Sequence, residues 1–566
     1  MRRATKLISR PLRRVACRYR PARRLAMLLP KMDAHEVEAI WRLRRSALFD
    51  RVWYLEQHPE LRTKGKDPVV HYVRTGVKKG FNPNPLFDTD WYLAQNLDVQ
   101  ASGVNPLWHY ITSGAAELRI PDPRFDPEFY IDQHPDAAGN PLEHYLSYGR
   151  DQGWSTRASV DITDYLPVRQ KISSPCPAGI KVDVIIPVYR GLDETRRCLQ
   201  RLIDDPDRAL HRLIVIDDCS PEPQLSAWLR DLAARNLIEL WGNESNQGFV
   251  RTVNRGMSAA SEGADVLLLN SDTEVPRGWL QRLIAQAYKA ERIGTVTPFS
   301  NNATICSYPS TSGGGLPFGF SLAAVDEAFR QANAGRSVDI PTAIGFCMYI
   351  RRNCLDDVGL FDAERFGRGY GEENDFCLRA SAKGWRHLLA CDTFVFHAGK
   401  VSFGADSPER KQGWGQLTER YRHYPRLVAK FIRRDPAAPA RFAATIALFR
   451  ASSRPKILLI THDLGGATER HIREQSRTGG PLFLKLAPRG RDIELTVLDH
   501  AQNLVLALPA EELTHFVDVL KQFAVSRVHV SHLVGIKGNL HELIQKLGVP
   551  FDFTVHDYSQ YCGEAV

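Results

Sequence analysis

The sequence lacks several features that would place it in a specialised class of protein. Its 566 residues include ten cysteines but no Cys-x-x-Cys pair, which argues against a disulfide framework or a structural zinc site. No apolar run reaches the ~18 residues that a membrane-spanning helix needs, so an integral membrane protein is not expected. With 43% apolar and 25% charged residues, the composition excludes a mainly disordered or fibrous chain. We expect about three or four globular domains in a reducing, cytoplasmic compartment.

Two glycine-rich nucleotide-binding motifs are also missing. The first long apolar strand is followed by Val188-Tyr189-Arg190-Gly191 rather than by Gly-x-Gly-x-x-Gly, which disfavours a dinucleotide-dependent oxidoreductase. The phosphate-binding pattern Gly-x-x-x-x-Gly-Lys-Ser/Thr occurs nowhere in the chain. Some other chemistry must therefore occupy the ends of the strands.

Positive charge is concentrated at the N-terminus. Residues 1–31 contain eleven Lys or Arg and no Asp or Glu, whereas residues 32–566 carry 63 basic and 65 acidic residues, a net charge of −2. A nucleic-acid-binding surface is therefore not indicated. The basic segment lacks the continuous apolar core of a secretory signal, so cleavage is not expected. Two interpretations remain open, namely a basic helix on an anionic membrane surface and a solvated tail.

Three repeats follow, starting at residue 49. Each unit contains Phe-Asp, an aromatic pair, a proline, a His-Tyr pair and a glycine four residues after that tyrosine, and the three Phe-Asp pairs are 38 residues apart. This period predicts stacked helical hairpins. The histidines His71, His109 and His144 could form a metal array, but their equivalent positions favour one packing contact made three times. The module is similar to repeats found beside glycosyltransferase domains in bacterial surface-polysaccharide proteins, which implies docking or spacing.

From about residue 180, apolar strands alternate with helical segments. Strands are expected at 181–187, 211–217, 238–241 and 264–269, with helices at 192–203, 226–235 and 248–260. This alternation predicts an α/β fold with a mainly parallel sheet, in which ligands bind beyond the carboxyl ends of the strands.

Acidic residues follow two of these strands. Asp217-Asp218 ends the second strand, and Asn270-Ser271-Asp272 ends a later one. Carboxylates at such positions can accept hydrogen bonds from a base and ribose or hold Mg²⁺ or Mn²⁺. A single aspartate could merely cap a helix, but two acidic strand ends in one domain are a more specific signal.

Five motifs in order now point to one family. They are VDVIIPVYRGLDE, VIDDCS, NQGF followed by NRG, LLLNSDTEV, and GRGYGEENDFCLRASAKGW. Together they resemble family-two glycosyltransferases of the GT-A fold over residues 180–405, in particular the rhamnosyl and galactofuranosyl types of bacterial polysaccharide assembly. The resemblance implies a nucleotide-diphosphate sugar as donor, Mg²⁺ or Mn²⁺ as cofactor, and inverting transfer to a growing cell-surface polysaccharide or a lipid-linked glycan. It also implies polysaccharide-assembly proteins as partners and a location at the cytoplasmic face of the inner membrane.

The resemblance also assigns residues to the donor and metal sites. The residues of the nucleotide-sugar pocket are Pro187, Tyr189, Asp217, Asp218, Asn246, Gly248, Asn254 and Asn270. Asp217 and Asp218 would accept hydrogen bonds from the base or sugar. Asp272 and His397 would bind the metal. Asn270 takes the first position of the family's Asp-x-Asp motif, and because an amide offers only a carbonyl oxygen, we expect weaker metal binding through this residue.

The resemblance implies a general base in the Glu372-Glu373-Asn374-Asp375 stretch, which is similar to the family's Glu-Asp-x-Asp. The catalytic aspartate maps onto Glu373, a side chain one methylene longer, with Asp375 as the next candidate and Glu372 as the third carboxylate of the catalytic set. Asp375 could instead be a residue that merely favours the start of a helix. The alternative function is a catalytically weak or inactive scaffold, for which the departures at Asn270 and Glu373 are the support.

The remaining expectations concern domain organisation. Residues 301–320, rich in Gly, Ser and Pro, are predicted to be a mobile segment near the acceptor. Residues 455–566 resemble the first half of a family-four, GT-B glycosyltransferase, a Rossmann-like unit that is not expected to act as an independent enzyme without its second half. The predicted divisions are 1–48, 49–155, 156–179, 180–405, 406–454 and 455–566.

Overall fold

The structure is a computed structural model in which the chain forms two compact units, Met1–Val160 and Asp161–Val566. It describes residues 34–63, 65–122, 124–157, 162–167, 179–206, 211–309, 314–367, 369–399, 408–461, 480–489, 492–498, 503–510, 513–531, 536 and 538–553. The basic segment 1–31 and most of the predicted linker 156–179 lie outside these residues. No described helix combines the length and apolar character needed to cross a membrane.

The first unit is built from short helices with a recurring order. An aspartate caps the first helix of each repeat, as Asp50 does by accepting the Trp53 N–H at 3.0 Å. A second helix starts with proline and continues as one π-helical turn that ends in glycine. The α-helices are Ala34–Leu43, Arg51–Gln57, Glu60–Thr63, Pro68–His71, Thr89–Gln95, Leu97–Ser102, Pro106–His109, Pro127–Gln133 and Pro141–His144.

The histidines of the repeats make one packing contact three times. The Tyr54 hydroxyl lies 3.0 Å from His71 Nδ1, and the equivalent pairs in the next two units are 3.0 and 2.9 Å apart. Glycine ends the turn because the tyrosine comes so close: a Cβ on Gly76 would lie 2.6 Å from the Tyr54 hydroxyl oxygen. This geometry fits the packing interpretation of the histidines.

The second unit contains the predicted α/β domain. Its strands are β1 (Val182–Val188), β2 (His211–Asp217), β3 (Glu239–Gly242), β4 (Asp265–Leu269), β5 (Thr273–Glu274), β6 (Ile293–Phe299), β7 (Ser337–Asp339), β8 (Cys347–Ile350), β9 (Arg386–Phe394) and β10 (Phe396–His397). The helices between them are Leu192–Ile203, Pro223–Ala234, Phe249–Ser258, Trp279–Ala287, Leu322–Ala332, Arg352–Val358, Ala363–Phe366 and Glu372–Ala382.

Eight of these strands form one sheet in the order β3-β2-β1-β4-β8-β6-β9-β7. β1 to β4 are parallel, as are β6 and β9, whereas β8 and β7 are antiparallel to their neighbours. The α/β prediction is therefore confirmed, with a sheet that is mixed and largely parallel, consistent with GT-A. β4 is buried along its whole length, as expected for a strand covered by helices on both faces.

The topology brings the carboxyl ends of β1, β2 and β4 to one edge of this sheet. Just beyond β4, the short strands β5 and β10 pair antiparallel, with Thr273 opposite His397. This pair brings together two chain segments more than 120 residues apart, Asn270–Thr273 and His397. The site is built at this edge.

Three helices and a second sheet complete the unit. The helices are Pro408–Arg420, Tyr424–Arg434 and Ala438–Ala451, and the strands are β11 (Lys456–Ile460), β12 (Leu482–Arg489), β13 (Asp492–Leu498), β14 (Asn503–Ala510), β15 (Arg527–Val530) and β16 (Phe551–Phe553), with helices Val517–Gln522 and Leu540–Leu547. The order is β14-β13-β12-β11-β15-β16. β12, β11, β15 and β16 are parallel, but β13 and β14 form an antiparallel meander that an all-parallel Rossmann half would not contain. Only two residues separate β12 from β13, too few for the crossover that a parallel pair requires.

Candidate active site

Asp218, at the end of β2, is enclosed by hydrogen-bond donors of its own chain. Its side chain is buried and accepts from Asn243 Nδ2 at 2.7 Å, from the Gln247 N–H at 2.8 Å and from the Gly248 N–H at 2.9 Å. Asp218 thereby holds the segment that leads into the Phe249–Ser258 helix. Both of its oxygens already have hydrogen-bond partners in the chain. Its contact with the base or sugar of the donor stays a prediction.

Asp217 is engaged in a similar way. One carboxylate oxygen accepts the Ser220 N–H at 2.7 Å, and the other accepts the Ser226 hydroxyl at 2.6 Å. These bonds fix the turn between β2 and the Pro223–Ala234 helix. The side chain is half-buried, so it remains within reach of a ligand at the strand end.

The other predicted pocket residues have different surroundings. Pro187 and Tyr189 lie at the carboxyl end of β1 and are half-buried, as is Asn246, whereas Gly248 is buried. The Asn254 amide donates to the Phe361 carbonyl at 2.8 Å and accepts the Phe361 N–H at 3.1 Å. These two bonds tie its helix to the loop before Ala363–Phe366, and its place in the nucleotide pocket stays a prediction.

Asn270, Asp272 and His397 form one cluster. His397 Nε2 lies 3.3 Å from Asp272 Oδ1 and 3.4 Å from Asn270 Nδ2. The imidazole stacks on the Phe346 ring with centroids 5.2 Å apart, and the Phe346 carbonyl accepts the Asn270 N–H at 2.8 Å. The structure thus brings together the three residues that the sequence predicted to lie near a metal.

Two neighbouring asparagines orient His397. Asn301 accepts the His397 N–H through Oδ1 at 2.8 Å and donates through Nδ2 to the His397 carbonyl at 2.9 Å. His397 Nδ1 lies 2.8 Å from the Asn302 carbonyl oxygen. Burial lowers the pKa of His397, but the hydrogen bond to Asp272 and the charge of that carboxylate outweigh burial, so the pKa is raised above its usual value.

The donor set fits a divalent cation that keeps open positions. With Nδ1 facing a carbonyl, Nε2 of His397 is the nitrogen available for coordination, which is the usual arrangement of a metal-binding histidine. Asp272 adds a carboxylate beside it. Within the described residues, no three His, Cys, Asp or Glu side chains cluster as a metal cage. Mg²⁺ and Mn²⁺ sites in phosphate-handling enzymes commonly use one or two protein ligands with phosphate and water, so this small set is sufficient.

Glu373 lies in the first turn of the Glu372–Ala382 helix and has one unused carboxylate oxygen. Its Oε2 is shielded from solvent and has no hydrogen-bond partner within the part of the chain that the structure describes. A Cβ on Gly345 would lie 3.9 Å from the Glu373 carboxyl carbon, so the glycine leaves space beside this carboxylate. Burial raises the pKa of Glu373, against the opposing effect of the Glu373 and Gly371 N–H groups. A carboxylate with a raised pKa and an unused oxygen has the properties of a general base.

The other two carboxylates of the acidic motif differ from each other. Glu372 shares the properties of Glu373: it is buried, its Oε2 has no partner among the described residues, and burial followed by the charge of Glu373 raises its pKa well above the usual value. Asp375 is fully buried and accepts from Arg379 Nε at 2.7 Å, Arg420 Nη1 at 2.9 Å and the Tyr421 hydroxyl at 2.9 Å. These three bonds make Asp375 an anchor between two helices, so the geometry favours Glu373 over Asp375 as the base.

Short contacts connect the clusters. Gly345 lies beside Glu373, and the next residue, Phe346, contacts both Asn270 and His397. The base candidate and the metal candidates therefore meet at one segment just before β8. Sequence reasoning did not identify Phe346, Asn301 or Asn302, because nothing in their local pattern indicates contacts with residues 50 to 100 positions away.

The segment predicted to be mobile differs from that expectation at its start. Residues 301–309 are largely buried, since Ile305, Cys306 and Tyr308 are apolar side chains that pack into the domain. Residues 310–313 lie outside the described residues. Residues 301–309 thus form a packed loop that contacts His397.

Comparisons with known proteins found a matching family for part of this domain. Residues 183–359 match the family model "Glycosyl transferase family 2". An uncharacterized protein of Mycobacterium tuberculosis is 24% identical over 240 residues, which are 42% of this chain and 81% of the relative. Human polypeptide N-acetylgalactosaminyltransferase 13 is 25% identical over 171 residues, 28% of this chain and 30% of that enzyme.

Among solved structures, a mannosyltransferase of Pyrobaculum calidifontis in complex with GDP-Man and Mn²⁺ is 18% identical, with a TM-score of 0.34 over 50% of this chain and 80% of that one. GalNAc-T7 with UDP, GalNAc and Mn²⁺ is 19% identical, with a TM-score of 0.34 over 42% of this chain and 48% of that one. The family match supports a glycosyltransferase: residues 183–359 are similar to glycosyl transferase family 2.

Proposed function

We propose that this domain transfers a sugar, with inversion at the anomeric carbon, from a nucleotide-diphosphate sugar to a hydroxyl of a growing cell-surface polysaccharide or lipid-linked glycan. The observation that carries the proposal is Glu373, a shielded carboxylate with a raised pKa and an oxygen that has no partner among the described residues. It is connected through Gly345 and Phe346 to the Asp272–His397 pair. A base and a cation site at one sheet edge are the two requirements of this reaction.

The chemistry assigned to Glu373 is proton removal. A sugar hydroxyl is a weak nucleophile unless its proton leaves as the new bond forms, and a carboxylate within hydrogen-bond reach contributes about 10²–10⁴-fold by accepting it. The Glu373 carboxylate would receive this proton while the hydroxyl oxygen attacks the anomeric carbon opposite the diphosphate. Attack from that side inverts the anomeric configuration.

The leaving diphosphate requires positive charge. A divalent cation bound by Asp272 and His397 would neutralise charge on the diphosphate as its bond to the sugar breaks. Asn302 and Asn301 hold the imidazole with Nε2 towards Asp272, so the two protein ligands are oriented in advance. Asn270 Nδ2 lies 3.4 Å from His397 Nε2, and rotation of the amide by half a turn would present its oxygen to the cation.

The donor's nucleotide would lie against the ends of β1 and β2. Asp218 supports this part of the pocket by fixing the Gln247 and Gly248 backbone, and Tyr189 offers an aromatic face there. The proposed nucleotide contacts of Pro187, Asp217, Asn246 and Asn254 follow from the family resemblance. Among these, Asn254 has the weakest case, because its amide is bound to Phe361.

Calorimetric binding of UDP, GDP and dTDP, with and without Mn²⁺, tests the proposal. We expect at least one nucleotide to bind in a Mn²⁺-dependent manner, and Asp272→Ala to abolish that dependence. Asp193→Ala is the matched control, because Asp193 is an exposed carboxylate of the same domain, with 77% of its side chain accessible. Binding of no nucleotide by the wild-type protein would favour the alternative, a catalytically inactive scaffold, which the amide at Asn270 also supports.

The proposal includes contact of the protein with a membrane surface. The eleven basic residues of the N-terminal segment, with no acidic residue among them, suit peripheral contact with an anionic membrane at the cytoplasmic face. Such contact would bring the domain to a lipid-linked acceptor. Deletion of residues 1–31 should then reduce binding to anionic vesicles at low salt without changing the rate on a soluble acceptor.

A further inference from the structure

Arg441 is a buried charged residue beyond both the family match and residues 180–405. It lies on the Ala438–Ala451 helix and is only 2% exposed. Nε donates to the Ser307 carbonyl at 2.7 Å, Nη2 donates to the Ile305 carbonyl at 2.9 Å, and Nη1 pairs with Asp435 at 2.6 Å. A buried guanidinium in contact with two backbone carbonyls of a distant loop fixes that loop in place.

The contacted segment, residues 300–308, is called the 300–308 loop. At one end, Asn301 and Asn302 hold the backbone and the imidazole of His397. At the other end, Arg441 holds the carbonyls of Ile305 and Ser307, and the Tyr308 hydroxyl lies 3.0 Å from Thr445 Oγ1, one helical turn after Arg441. The loop therefore stands between the proposed metal ligand and the Ala438–Ala451 helix.

The loop is internally braced, so a displacement at one end reaches the other. Ser307 Oγ accepts the Ala303 N–H at 2.7 Å, and the Ser300 N–H donates to the Cys306 carbonyl at 3.1 Å. Thr304 has φ +45°, a left-handed conformation that is unfavourable for a β-branched residue. Surrounding contacts must hold a strained residue of this kind, and Arg441 binds the carbonyl of the next residue, Ile305.

We propose that Arg441 is a positioning residue of the active site: it fixes the 300–308 loop and, through Asn301 and Asn302, sets the orientation of the His397 imidazole. The Ala438–Ala451 helix then contributes to the geometry of the active site. The expected effect on metal binding rests on the proposed function, whereas the effect on the position of His397 does not.

The test uses the full-length chain with Arg441→Lys as the main variant. Lysine keeps the charge but has one compact ammonium group, which cannot reproduce the forked contacts to Ile305, Ser307 and Asp435. Asp435→Asn is the matched control, because it removes the ion pair of Arg441 but leaves both carbonyl contacts in place. Asn also tolerates the left-handed backbone of Asp435, which has φ +34°.

Two readouts distinguish positioning from general stability. The first is the ring resonance of His397 in protein with ¹³C-labelled histidine, assigned by its loss in His397→Asn. The second is the dissociation constant for Mn²⁺ alone, measured by electron paramagnetic resonance. We expect Arg441→Lys to displace or broaden the His397 resonance and to weaken Mn²⁺ binding about tenfold, the usual scale for residues that orient a metal ligand, and Asp435→Asn to change neither.

An unchanged His397 resonance in folded Arg441→Lys overturns the proposal. If that variant does not fold, Thr445→Val takes its place, since it removes a hydroxyl that contacts the Tyr308 hydroxyl and donates to the Arg441 carbonyl. A displaced His397 resonance then supports the proposal, and an unchanged one overturns it. If the wild-type protein binds no Mn²⁺ in the absence of a nucleotide, the His397 resonance alone decides whether Arg441 positions the ring, and the metal role in the proposed function is decided by nucleotide binding with and without Mn²⁺.

Discussion

Glu373 and Asp375 lie two residues apart in the first turn of one helix, and their surroundings give them opposite chemical properties. Asp375 accepts hydrogen bonds from two arginines and a tyrosine, which engage both of its oxygens. Glu373 has one oxygen that meets no hydrogen-bond partner among the described residues. A difference in partners, and not in residue type, thus separates an anchor from a base.

This difference predicts distinct results for two isosteric substitutions. Glu373→Gln should lower the rate of transfer by about 10²-fold or more with little change in donor affinity, because an amide cannot accept the proton. Asp375→Asn should instead cost about 1–3 kcal/mol of stability, because Arg379 and Arg420 lose a charged partner at a buried site. Steady-state kinetics and thermal unfolding of both variants check this. If Asp375→Asn lost transfer at normal stability while Glu373→Gln kept it, the assignment of the base would be wrong.

The raised pKa of Glu373 predicts how the rate depends on pH. Only the deprotonated carboxylate accepts a proton, so the rate should fall as pH decreases through the folded-state pKa, which lies above the ordinary value of 4.5. Glu372→Gln should leave this acid limb in place, because the pKa of Glu372 is raised well above its usual value by burial and by the charge of Glu373, so that carboxyl group is already uncharged while Glu373 titrates. Profiles of kcat against pH measure both effects. An acid limb that stays at the same pH in the residual activity of Glu373→Gln would assign the titration to another group.

The sequence identified which side chains could carry the chemistry of the site, but not their hydrogen-bond partners. Asp272 and His397 were predicted as a pair from two motifs, and they lie 3.3 Å apart. The saturation of Asp218 by Asn243, Gln247 and Gly248 was not predicted, because hydrogen bonds between loops leave no periodic pattern in a sequence.

Each π-helical turn of the repeats ends in glycine because a tyrosine hydroxyl leaves no space for a Cβ at that position. Gly76→Ala should destabilise the module by about 1–3 kcal/mol, because its Cβ would lie 2.6 Å from the Tyr54 hydroxyl oxygen. Tyr54→Phe should cost about 1 kcal/mol through the lost bond to His71. The double variant should cost less than the sum, since the phenylalanine removes the colliding atom.

Amide hydrogen exchange of residues 72–80 in the whole chain measures these changes. Gly139→Ala is the matched control in the same module, because a Cβ there would meet nothing within 4 Å, and it should change stability by no more than about 0.5 kcal/mol. Strict additivity of the two single substitutions would show that the hydroxyl does not determine the need for glycine.

The strands and helices of the catalytic domain were largely predictable because their core positions are periodic. The strand expected at 211–217 is β2 (His211–Asp217), and the helix expected at 192–203 is Leu192–Ile203. The antiparallel β13 and β14 were not predicted, since strand direction depends on connection length and on neighbours. Arg441 was also missed, because its carbonyl partner Ser307 lies 134 residues away.

At the scale of the whole molecule, one unit combines the catalytic domain, three following helices and a second sheet. The Ala438–Ala451 helix contacts the 300–308 loop through Arg441 and packs Phe442 and Phe449 against Phe523 near the second sheet. The C-terminal part of the unit therefore supports the catalytic domain physically. The proposed docking role of the repeats and the Rossmann-like character of residues 455–566 remain predictions.

The most direct test of the proposed metal-dependent transfer is the release of nucleoside diphosphate from a panel of UDP-, GDP- and dTDP-sugars by the full-length protein. We expect turnover of at least one donor that requires Mn²⁺ or Mg²⁺, stops when the metal is chelated, and is lost in Asp272→Ala but kept in Asp193→Ala. Turnover that persists after chelation and in Asp272→Ala, or no turnover of any donor despite metal-dependent nucleotide binding, would contradict it.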